Sequence, residues 1–150
     1  MELLLWRHAE AEDGLPDMER VLTAKGHKQA EKMSSWLKPR LPSHTHILVS
    51  PAARTQQTAT ALGMDFTTLD DLAPGASPEA VLRAAGWPND TDSVLIVGHQ
   101  PTLGAAAALA LGHPDACWSL KKGALWWITS KARGEEFDAI LRAVISPELL

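Results

Sequence analysis

Two histidines and two arginines carry the chemistry that this chain can do. Arg7-His8-Ala9 ends the apolar run Leu3-Leu4-Leu5-Trp6, Ser50-Pro51-Ala52-Ala53-Arg54 follows Ile47-Leu48-Val49, and Gly98-His99-Gln100-Pro101 closes Val94-Leu95-Ile96-Val97. A neutral imidazole offers one lone-pair nitrogen while its other N–H can be held by an acceptor, so His8 can act as a nucleophile. Guanidinium groups present planar forks of donors that match phosphate oxygens two at a time, which suits Arg7 and Arg54. His99 adds a further donor when protonated. Phosphoryl transfer needs this combination, a nucleophile in line and positive charge around the equatorial oxygens.

Apolar runs that stop abruptly at polar residues read as buried strands, and open α/β sheets bind ligands at the carboxyl ends of their strands. Strands are expected to end near Arg7, over His46–Val49 and over Ser93–Val97, with further ones over Asp65–Leu69 and Ala124–Thr129. Thr23 is an N-cap for a helix to about Lys38, Ser50-Pro51 for a second helix to Gly63, and Ser77-Pro78 for a third to about Gly86. The apolar stretch Thr102–Leu111 reads as a buried helix. The helices starting at Pro51 and Pro101 would aim their positive ends at the same strand edge. Phe137–Ile145 fits either strand or helix. Alternating strands and helices predict a three-layer α/β/α sandwich on a mostly parallel sheet.

The order of these elements resembles the histidine phosphatase superfamily, with its phosphoglycerate mutase-like fold, and within it the small SixA-type phosphohistidine phosphatases. The resemblance rests on Arg7-His8, the segment Leu22–Ala30, Ser50-Pro51 with Arg54, Gln56-Gln57-Thr58-Ala59, and Gly98-His99-Gln100-Pro101, from Glu2 to about Gly112. It implies His8 and His99 as catalytic residues, Arg7 and Arg54 as phosphate-binding residues, and no metal or cofactor. It also makes Phe137–Ile145 a strand. The implied activity is hydrolysis of a phosphohistidine-bearing protein domain in signal transduction, with inorganic phosphate as product. Alternatives are a small-molecule phosphomonoesterase of the same superfamily and a phosphoprotein-binding module of low turnover. Many relatives have Gly where this chain has Ala9, a small change.

The acid that relatives use to protonate an alkoxide would fall near Asp70-Asp71, and neither aligns with it. That favours a P–N over a P–O substrate. The short chain leaves little material for a lid, so an open pocket able to receive a protein is expected. The loop after His8 holds Glu10, Glu12, Asp13, Asp17 and Glu19, which read as a solvated loop or as an acidic rim selecting basic surfaces.

A length of 150 residues fits one domain over residues 1–150, and a net charge of −4 argues against a nucleic-acid partner. No apolar run reaches the roughly 18 residues of a membrane span, no secretory leader is evident, and the lone Cys117 fits a reducing compartment, so a cytoplasmic protein is expected. Cys117 lacks the arginine of cysteine phosphatases, since Gly123 stands six residues on, and reads as buried packing. His44 and His46 read as a surface loop because no third ligand accompanies them. His27 and His113 read as surface residues, and the six tryptophans as packing.

Overall fold

Leu3, Leu4, Leu5 and Trp6 are fully buried, which requires cover on both faces of their strand. The computed structural model, describing residues 1–150, places this strand, β1 (Glu2–Arg7), inside a six-stranded sheet. The other strands are β2 (His46–Val49), β3 (Thr67–Thr68), β4 (Val94–Gly98), β5 (Leu125–Arg133) and β6 (Glu136–Ile145). Their spatial order is β3-β2-β4-β1-β5-β6. β3, β2, β4 and β1 run parallel, while β5 and β6 are antiparallel additions.

Alternation along the strands divides the core. Leu3, Leu5, Val94 and Ile96 face α3 (Pro78–Ala85) and α4 (Thr102–Ala110), meeting Val81, Leu103 and Ala107. Leu4, Trp6, Leu95 and Val97 face α1 (Ala24–Leu37) and α2 (Ala53–Thr60), meeting Met33, Leu37 and Ala59. The result is the expected α/β/α sandwich, built by the period-2 geometry of strands. No helix is long and apolar enough to cross a membrane.

The helix signals hold at two of three starts. Thr23 Oγ1 accepts from the Gly26 amide and Ser77 Oγ from the Ala80 amide, as N-caps do. The second start differs: α2 begins at Ala53, with Ala52 as its cap residue, because the chain is still extended at Ala52 (φ −64°, ψ 142°). α2 ends at Thr60 rather than Gly63, and β3 is two residues long rather than five. β5 continues past Thr129 to Arg133, where it pairs with Glu136 across a turn containing Gly134 at φ 65°. Cys117 is exposed, contrary to the packing expectation, because residues 112–124 form a surface loop that lays its Sγ against the Pro101 carbonyl. His27 and His113 are exposed, as expected.

Candidate active site

The sheet register assembles the site. Arg7 lies opposite Gly98 and Val49 opposite Val97, so the next residues, His8, His99 and Ser50, leave neighbouring strands at one edge. The His8 amide donates to the Gly98 carbonyl and the Ser50 amide to the Val97 carbonyl, which carries the ladder one residue beyond the strands. The His8 and His99 rings stand 5.3 Å apart, centroid to centroid, at 54°. Both are buried.

The hydrogen bonds fix the protonation pattern of His8. Its Nδ1 lies 2.7 Å from the Ala9 carbonyl oxygen, which can only accept, so Nδ1 carries the proton and Nε2 keeps its lone pair. Burial pushes the His8 pKa down to about 4, against the Ala9 hydrogen bond, with Arg54, Arg7 and Arg20 adding repulsion. His99 is pushed down to about 3, first by burial and then by His8 and Arg54. Its Nε2 lies 2.7 Å from Ser50 Oγ. That oxygen also accepts from the Ala52 amide, so the Ser50 hydroxyl holds the His99 ring at Nε2 while its Nδ1 stays without a partner.

Arg7 Nη1 donates to the Leu120 carbonyl at 2.7 Å, and burial lowers the pKa of Arg7. Arg54, in the first turn of α2, is only 4% exposed. Its Nη1 donates to the Asp17 carbonyl (2.8 Å) and its Nη2 to Asp17 Oδ2 (3.1 Å). Three of the four buried side-chain polar atoms without a partner belong to this group: Arg7 Nε, Arg54 Nε and His99 Nδ1. Arg7 Nε and Arg54 Nε are N–H donors, and an unpaired buried donor costs about 1–3 kcal/mol.

A shell of motif residues supports them. Thr58 Oγ1 accepts the Ala9 amide at 3.1 Å and donates to the Arg54 carbonyl, tying the loop after His8 to α2. Gln57 accepts the Leu22 amide and Gln29 the Glu10 amide. Gln100 Oε1 accepts the Gly104 amide while its Nε2 donates to the Trp118 carbonyl.

Of the five acids after His8, two have partners within the chain: Glu10 Oε2 accepts the Thr23 hydroxyl, and the exposed Asp17 holds Arg54 and Arg20. Arg54 keeps the Asp17 carboxyl below its ordinary value. Asp70 and Asp71 are exposed in a short 3-10 turn. The exposed His46 Nε2 sits 2.9 Å from the half-buried Asp92, and no group of three or more ligand-type residues surrounds it. Sequence reasoning missed Asp17 as the partner of Arg54, Ser50 as the partner of His99, and Leu120 as the holder of Arg7. Only Ser50 gave a signal, and it was that of an N-cap.

The sequence profile of the histidine phosphatase superfamily (branch 1) matches residues 3–73, which include Arg7, His8 and Arg54. An uncharacterized protein of Picosynechococcus sp. is 34% identical over 143 residues, covering 88% of this chain and 87% of its own length. The chain belongs to the histidine phosphatase superfamily. An uncharacterized protein of Mycobacterium tuberculosis is 33% identical over 108 residues, 67% of this chain and 66% of that protein. Among solved structures of the superfamily, the protein histidine phosphatase SixA complexed with tungstate superposes with a TM-score of 0.83 at 25% identity, covering 99% of both chains. The sheet, the helices and the family resemblance are therefore SixA-type.

Proposed function

We propose that this superfamily member is a protein phosphohistidine phosphatase in which His8 is the nucleophile. The observation that carries the reading is the His8 Nδ1–H bond to the Ala9 carbonyl, which leaves Nε2 as a bare lone pair beside His99 and two guanidinium groups. Its low pKa keeps that lone pair unprotonated at neutral pH.

In the first step Nε2 attacks phosphorus and the P–N bond to the substrate imidazole breaks. That imidazole departs neutral once its distal nitrogen takes a proton, which a pKa of about 6.5 puts within reach of neutral water. Water then attacks phospho-His8, returning free His8 and inorganic phosphate. Arg7, Arg54 and the unpaired N–H donors stabilise charge on the equatorial oxygens. A phosphoryl dianion beside His99 favours its protonated form, which then donates as well. These side chains supply positive charge themselves, so no metal or cofactor is assigned a role. The solved SixA relative is named a protein histidine phosphatase, which supports the substrate class.

A phosphohistidine protein carrying labelled phosphate tests the reading. The parent chain should form an acid-labile phosphoenzyme and release phosphate, whereas His8→Ala should do neither. Alkyl phosphates should react far more slowly, since general-acid assistance worth about 10²–10⁴ is what their alkoxide needs. Equal turnover of an alkyl phosphate would make the chain a phosphomonoesterase. Retention of phosphoprotein without phosphate release would make it a binding module.

A further inference from the structure

Five of the seven lysines in this chain, Lys25, Lys28, Lys32, Lys121 and Lys122, line one groove of about 260 Å³. The chain carries a net charge of −4, so this concentration does not follow from a basic composition. Its placement opposes helix stability twice. Lys25, Lys28 and Lys32 recur on one face of α1, where like charges repel. The first turn of α1 also carries no acidic residue, and cations near a helix N-terminus oppose the macrodipole. All five lysines are exposed. The groove contains one carboxylate, Glu148, which pairs with Lys121, while the other four lysines make no ion pair. The chain thus seats one carboxylate of its own there, which shows the chemistry that the groove accepts.

The groove and the candidate active site share backbone. Lys121 and Lys122 lie between Leu120, whose carbonyl accepts from Arg7, and Gly123, whose amide donates to the His8 carbonyl. Gln29, also in the groove, holds the Glu10 amide two residues after His8. A partner seated on these lysines is therefore held against the loops that frame His8.

We propose that the lysine groove docks an acidic segment of the phosphohistidine-bearing substrate protein, an inference that rests on the phosphatase reading. A protein fits better than a nucleic acid because the groove has no aromatic residue for base stacking. The exposed acids Glu12, Asp13 and Glu19 on the loop after His8 would also repel a polyanion that extended across the site.

The test reverses charge with Lys25→Glu and Lys28→Glu together, a pair that agrees with the helix dipole and so should not unfold α1. A labelled oligoglutamate peptide should bind the parent, lose affinity as salt rises from 0.05 to about 0.3 M, and not bind the double variant. On an acidic phosphohistidine domain, kcat/KM should fall on the order of tenfold through KM, while turnover of the small phosphoramidate ion is retained. Equal peptide binding by parent and variant, or tighter binding of a single-stranded oligonucleotide of matched charge, would overturn the proposal. So would an equal loss on phosphoramidate. If the parent releases phosphate from neither substrate, the phosphatase reading fails, and the peptide measurement still decides the groove.

Discussion

Asp17 holds Arg54 twice, through its backbone carbonyl and through its carboxylate, and so folds the loop after His8 back onto α2. The carboxylate occupies a guanidinium fork that a phosphoryl group would also use, and the two anions compete for it. Asp17→Asn removes the charge and leaves the carbonyl contact, so Arg54 stays in place with more of its field available. Inorganic phosphate should then inhibit a few-fold more tightly, the scale of one partly exposed ion pair. Inhibition constants for phosphate in the two proteins measure this. Weaker inhibition in the variant would mean that the carboxylate mainly positions Arg54.

Arg7 and Arg54 are held by different parts of the chain, Arg7 by the Leu120 carbonyl and Arg54 by Asp17. Each is fixed before any phosphoryl group arrives, and preorganised donors of this kind are worth about 2.7–4 kcal/mol in the transition state. Arg7→Ala or Arg54→Ala should therefore lower kcat about 10²–10³-fold. Lysine at either position should restore only part of that, because an ammonium keeps charge but lacks the fork. Wild-type kcat in a lysine variant would show that charge alone suffices.

The four residues of this group were legible in the sequence because Arg7, His8 and His99 sit at the ends of apolar runs and Arg54 in the helix that follows another, and parallel strands in register bring such ends together. Arg7 opposite Gly98 and Val49 opposite Val97 are the register pairs that do so. What holds them was not legible. Asp17 reaches Arg54 across 37 residues and Leu120 reaches Arg7 across 113, and no spacing rule encodes contacts made by loops. Ser50 shows a subtler failure. Its type and its following proline are those of a helix start, yet its hydroxyl meets His99 Nε2 and the Ala52 amide, and α2 begins only at Ala53. The lysine groove was hidden for a similar reason, since Lys121 and Lys122 join the face of α1 only through the fold.

Gly104 inverts the usual helix rule. Replacing glycine by alanine inside a helix ordinarily stabilises it by roughly 1 kcal/mol. Here a Cβ would collide with the Trp118 carbonyl oxygen and with Gln100 Nε2, the pair that pins residues 112–124 to the start of α4. Gly104→Ala should therefore lower the denaturation midpoint, by a margin typical of overpacking, about 1–3 kcal/mol. It should also reduce activity, because the same loop carries the Leu120 carbonyl that holds Arg7. An unchanged or raised midpoint would show that the loop moves aside freely.

The two buried imidazoles make a pH prediction with a definite sign. His8 is pushed to about 4 and His99 to about 3, both below the roughly 6.5 of an unfolded histidine. Between those values the unfolded chain binds more protons than the folded one, so stability increases with pH across that window. The contribution is complete above pH 6.5 and declines as pH falls toward 4 for His8 and toward 3 for His99. Urea midpoints at constant m-value should follow this course, and His8→Ala should flatten it. Activity should resist acid for the same reason. kcat/KM reports the free enzyme and free substrate, so with a substrate that does not titrate in this range the acid limb should fall near pH 4 rather than near 6.5, because protonation of Nε2 would remove the lone pair proposed to attack phosphorus. On a phosphoryl donor that does not itself titrate near 6.5, a limb centred there would mean that the nucleophile titrates as an exposed histidine, and that a group other than buried His8 attacks.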